Sequence, residues 1–125
     1  MKRYMLFVNF DGGTVDVPMD QWQPAEVEAH MDYYRALNKE LRETGELVEV
    51  EALAGPDQAK IVRFDGLTAP VVTDGPFGEI KEWVAGYMIV DVESVERAIE
   101  IAARYSAVPG PGGIPLEQPI HVREL

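Results

Sequence analysis

Asp74 begins the run Asp74-Gly75-Pro76-Phe77-Gly78-Glu79. A carboxylate partly shielded beside Pro76 and Phe77 would have its pKa raised toward neutrality, which suits a general base or a ligand anchor. The same Asp-Gly-Pro order also makes an Asx-type turn, in which the carboxylate accepts backbone amides and its pKa falls. Glu79, Lys81 and Glu82 follow closely. As exposed pairs they would contribute only ~0–1 kcal/mol, so a role for them requires burial, such as Lys81 near Asp74 in a cleft. His30 follows Glu26 and Glu28, whose charges favour a protonated ring near pH 7, whereas His121 has no evident partner. Tyr34, Trp83 and Tyr87 can line an apolar pocket, and their hydroxyl or indole groups can donate to a ring-shaped ligand. The catalytic candidates are therefore Asp74 and His30, and the ligand-binding candidates are Tyr34, Phe77, Glu79, Lys81, Trp83 and Tyr87.

Composition removes several chemistries. The chain has no cysteine, which excludes disulfides, thiolate catalysis and cysteine-ligated metal sites. A metal would need His30, Asp74 and Glu79 to converge, so neither a metal nor an organic cofactor is expected. The formal net charge of −11 repels phosphate backbones and anionic lipid, so direct nucleic-acid binding is not expected, although a basic protein partner would be accepted. Gly110 to Gly113 has no strand before it and no lysine after it, unlike a phosphate loop, and no Ser–His–Asp or dinucleotide pattern appears. No apolar run approaches the ~20 residues of a membrane span. The stretch Tyr4 to Val8 is too short for a signal peptide because Asn9 and Asp11 end it, and the expected compartment is the cytoplasm.

The elements that must position these groups follow from hydrophobic period and turn chemistry. Arg3 to Val8 reads as a strand ended by Asp11-Gly12-Gly13. Pro24 suits the first position of a helix, Val27, Met31, Tyr34, Leu37 and Leu41 recur at helical spacing, and Gly45 supplies a left-handed stop. Glu46 to Leu53 alternates as a strand with one exposed face. Ile61 to Phe64 and Ala69 to Thr73 flank Asp65-Gly66 as a hairpin. Trp83 to Val90 is rich in strand formers, and Ser94 caps a second helix to about Tyr105 with Val95, Ile99 and Ala102 as its stripe. Pro109 to Gly113 reads as a flexible crossing before a last strand, Ile120 to Leu125. Residues 1–125 thus form one domain. Without the hairpin, the order is the split βαβ arrangement of a ferredoxin-like α+β fold, an antiparallel sheet with two helices on one face. Its other apolar face needs a cover, and a second copy is the simplest one.

The segment Val72-Thr73-Asp74-Gly75-Pro76-Phe77-Gly78-Glu79-Ile80-Lys81-Glu82 resembles the signature of the DGPF group of the YCII-related family, with Gly78 and Ile80 where alanine and threonine are usual. The resemblance extends to Ala25 through Met31, to Glu51-Ala52-Leu53 and to Gly86 through Asp91. It implies a homodimeric α/β barrel in which two ferredoxin-like sheets close over a cleft for a small ligand. The broader family includes small-molecule lyases and dehalogenating enzymes, and members recur beside or fused to extracytoplasmic-function sigma factors. The broader family is also thought to use a His–Asp pair with the histidine on the first helix. Aligned on Gly45, that position falls on Tyr34, and His30 lies one helical turn earlier on the same side.

Two readings of function follow. A cofactor-free, lyase- or dehydrochlorinase-like enzyme would move a proton with Asp74 or His30 and would require a shifted pKa in a shielded cleft. A binding or regulatory module without turnover would use the Asp74 loop to shape the dimer instead.

Overall fold

A computed structural model describes residues 1–9, 17–75 and 84–125. Along the chain come β1 (Lys2–Asn9), α1 (Pro24–Glu43), β2 (Leu47–Ala52), β3 (Lys60–Arg63), β4 (Val71–Asp74), β5 (Val84–Val92), α2 (Val95–Ser106) and β6 (Ile120–Glu124). The main sheet has the order β2-β5-β1-β6 with antiparallel pairs throughout. This is the ferredoxin-like arrangement expected of the element order.

Alternation along β1 and β5 divides the sheet into two faces. Tyr4, Leu6 and Val8 join Met88, Val90 and Val92 in a core completed by Leu37 and Leu41 of α1 and by Ala98, Ile101, Ala102 and Tyr105 of α2. Leu47 and Val50 both pack on this core although odd and even positions of a strand should face opposite ways. A register shift between Leu47 and Glu49 reconciles them, since one extra residue in a bulge reverses the alternation. Gly86 is required where β2 meets β5, because a Cβ there would lie 2.8 Å from the Glu51 carbonyl oxygen.

Both helices end as their sequences predict. The Gln23 amide donates to Glu26 Oε1 at 2.9 Å in a capping box, Pro24 follows, and Gly45 at φ 82° lets the Glu46 amide close on the Leu41 carbonyl. Ser94 Oγ accepts from the Arg97 amide. The stripe expected on α2 needs correcting, since Val95 and Ile99 are exposed and the buried line runs Ala98, Ile101, Ala102 and Tyr105. Two alanines on that line let the helix axis approach the sheet, which leaves Ile101 and Tyr105 to fill the space.

Pro109 to Gly113 departs from the expected flexible crossing. Pro109 bridges Pro115, the Leu116 amide donates to the Val108 carbonyl, and the Gly112 amide donates to Glu26 Oε2 at 2.6 Å. Buried Val108 and Leu116 hold the turn from beneath. The hairpin pairs Lys60 to Arg63 with Asp74 to Val71, a little displaced from expectation because its connection is longer. Asp65 organises that connection by accepting the Leu67 and Thr68 amides at 2.8 and 2.9 Å, an Asx-type role.

Candidate functional site

His30 lies on the face of α1 that turns toward the sheet, and only 6% of it is exposed. Its Nδ1 donates to the Pro109 carbonyl at 2.9 Å, and Trp22 and Tyr34 meet the ring edge-on at centroid distances of 5.3 and 5.1 Å. Tyr34 then stacks on Tyr105, whose hydroxyl donates to Asn38 Oδ1 at 2.6 Å. Burial lowers the His30 pKa, and the Pro109 bond opposes this more weakly. The protonated ring expected from Glu26 and Glu28 is therefore corrected to a neutral one. Glu26 is engaged elsewhere, with the Gln23 and Gly112 amides. The Tyr34 and Tyr105 pKa values are both raised, by burial first, which keeps these hydroxyls as donors.

Tyr87 stands on the opposite side of the sheet. In β5 it alternates with buried Met88, and its cross-strand neighbours are Phe7 and Glu51. The helix-free face can thus be read in rows from β2 to β6: Glu51, Tyr87, Phe7 and His121 in one, and Glu49, Ile89, Met5 and Arg123 in the next. The four central residues are half-buried and apolar, while acids lie on one edge and bases on the other. The Tyr87 pKa is raised by desolvation first and then by the Glu49 and Glu51 charges. At the end of this face Asn9, 6% exposed, places Nδ2 3.1 Å from His121 Nε2, and Gln118 Nε2 donates to the Asn9 carbonyl at 3.0 Å.

Asp74 ends β4, where its exposed carboxylate is ion-paired with Lys60. Phe77, Glu79, Lys81 and Trp83 lie outside the described residues, as does the expected approach of Lys81 to Asp74. Among the described residues no cluster of three potential metal ligands occurs and no helix is long and apolar enough to cross a membrane. A surface depression at the start of α2, lined by Glu46, Glu93, Ser94, Glu96, Arg97 and Glu100 among others, contains none of the candidates.

The model of the YCII-related domain family matches residues 2–113. The chain belongs to the YCII-related family. An uncharacterised protein of Rhizobium meliloti (strain 1021) is 32% identical over 81 residues, and the match covers 65% of this chain and 64% of that relative, so the chain spans just under two thirds of the relative's length.

The sheet of this YCII-related protein separates two of the aromatic candidates: Tyr34 belongs to the helical layer and Tyr87 to the helix-free face. They do not line one pocket. Sequence reasoning also passed over Asn9, reading it only as the end of an apolar run. Its position two residues after Phe7 in β1 is the signal, because alternation puts a polar group in line with apolar ones on the open face.

Proposed function

We propose that this YCII-related protein is a small-molecule-binding homodimer, in which a second copy covers the helix-free sheet face and leaves a cleft over Met5, Phe7, Tyr87 and Ile89. The observation that carries the reading is that apolar centre: the two helices pack on one face of the sheet, and Met5, Phe7, Tyr87 and Ile89 on the other face take no part in that core. Contiguous apolar surface of this kind marks association or ligand sites. The β3–β4 hairpin supports it. Val62, Phe64, Leu67, Val71 and Val72 are all exposed, and an isolated two-stranded hairpin is marginal in water, so contact with another copy would stabilise it.

Binding without turnover is the better reading than proton transfer by Asp74 or His30. The Asp74 carboxylate is exposed and paired with Lys60, while His30 is enclosed by Trp22 and Tyr34 with Nδ1 committed to Pro109. The run Asp74-Gly75-Pro76-Phe77 supports placing the chain in the DGPF group of the family. Gel filtration with light scattering at micromolar concentration tests the assembly. The expected mass is twice 13.9 kDa, and Phe7→Glu is expected to reduce it to one copy while far-UV circular dichroism is retained. A folded wild-type monomer would refute the reading.

A further inference from the structure

We infer that His121 and Arg123, with Asn9 bracing the imidazole, form the carboxylate-binding end of the space over the open face, and that its ligand is a small monocarboxylate with a flat apolar body. This rests on the reading above that a small molecule occupies that space. His121 is directly opposite Phe7 and Arg123 directly opposite Met5, so each basic side chain rises from the sheet beside an apolar one. Directly opposed side chains have Cβ atoms roughly 5 Å apart, which lets one ligand touch both kinds of group. A ring resting on Phe7 and Met5 would bring a carboxylate substituent to the guanidinium, whose planar fork accepts both oxygens.

The described residues do not answer the Arg123 charge. It carries 22 acidic residues against 11 basic ones, yet Arg123 has no carboxylate partner among the described residues. Glu49 and Glu51, the acids of the same face, stand on the far edge. Three strand spacings, roughly 14 Å, separate them from β6, well beyond ion-pair contact. The imidazole is fixed by a buried group: with Asn9 Nδ2 donating to Nε2, the ring proton sits on Nδ1, which is left as a donor for a ligand oxygen. The Gln118 contact to the Asn9 backbone ties this residue to the segment that leads into β6, so the brace and the base move together.

Benzoate is the probe, with benzyl alcohol as its uncharged counterpart, and side-chain nuclear magnetic resonance signals of His121 and Arg123 are the readout. Benzoate is expected to shift both signals saturably and benzyl alcohol to bind more weakly. Arg123→Gln should weaken benzoate binding by about tenfold or more, the loss of a charged hydrogen-bond pair, with the alcohol unaffected. Asn9→Ala should weaken benzoate severalfold and release the His121 tautomer from Nδ1–H. Equal binding of the two probes, or unchanged benzoate affinity in Arg123→Gln, would overturn the inference. It would also fail if Arg123→Gln lowered the mass of the assembly without altering benzoate affinity, since Arg123 would then be a subunit contact. A wild-type dimer that ignores benzoate sinks this inference and leaves the homodimer standing, whereas a wild-type monomer removes the homodimer whatever benzoate does.

Discussion

Acidification should weaken the protein through His30. The ring is 6% exposed, donates Nδ1 to Pro109 and is enclosed by the edges of Trp22 and Tyr34. Burial lowers its folded pKa below the ordinary value of 6.5, so the unfolded chain takes up the proton first as the pH falls. The stability contributed by the neutral ring is complete above about pH 6.5 and is lost as the pH falls through the interval between the unfolded and folded pKa values. One proton limits the slope to about 1.4 kcal/mol per pH unit. For a domain of this size that is roughly 5 °C in Tm per unit at the steepest point. Thermal unfolding followed by circular dichroism from about pH 8 to about pH 5 is the assay, with His30→Gln as the reference, because glutamine keeps an N–H donor for Pro109 and does not titrate in this range. The carboxylates contribute alike to both proteins, so the difference between the two curves isolates His30. Parallel curves would refute the reasoning, and a wild type that gained stability relative to His30→Gln on acidification would restore the protonated ring expected from Glu26 and Glu28.

Gly86→Ala should cost about 1–3 kcal/mol, because its Cβ would force apart the β2–β5 pair at Glu51; urea titration would show it, and an unchanged midpoint would contradict the close approach. Arg97 holds both Glu46 oxygens, through Nε at 2.7 Å and Nη2 at 2.9 Å, and so ties α2 to the turn between α1 and β2. Arg97→Ala is expected to lose about 1–2 kcal/mol near neutral pH, allowing for partial exposure of the pair. The Arg97 hydrogen bond depresses the Glu46 pKa, so this stabilisation is present above the ordinary glutamate pKa and disappears as the pH falls through the depressed one; an equal loss in strong acid would count against the pair. Asp74→Asn should change stability by less than ~1 kcal/mol in a thermal melt, as the Lys60 pair is exposed, and a larger loss would show that the carboxylate shapes its loop.

The elements were legible where local chemistry decides them. Pro24 and Gly45 bound α1, and Ser94 starts α2, because caps act within a turn of the chain. The phase of an amphipathic element is less local. Ile99 is more hydrophobic than Ala98, yet Ala98 faces the sheet, because the helix must lie close enough for Ile101 and Tyr105 to reach the core. The β2 bulge similarly hides the agreement between Leu47 and Val50, since no residue at that point announces an extra position. His30 was legible as a special residue, but its charge state was not. Neighbours in sequence argued for protonation, while burial against Trp22 and Tyr34 outweighs the Pro109 bond and makes a neutral site, and Pro109 comes from the far end of the chain.

The division of the sheet also constrains where any chemistry can occur. On the side of the main sheet that carries Tyr4, Leu6, Val8, Met88, Val90 and Val92, α1 and α2 pack Leu37, Leu41, Ala98, Ile101, Ala102 and Tyr105 into one core. His30 and Tyr34 stabilise that layer by hydrogen bonding and ring packing. Polar groups that can meet a ligand on an apolar floor must instead come from the opposite set of positions, the odd residues of β1, β5 and β6. Asn9, Tyr87, His121 and Arg123 all belong to it, and two of them already share a hydrogen bond. A substitution on this set should therefore change association or binding with little loss of fold, whereas one in the His30 layer should change stability first.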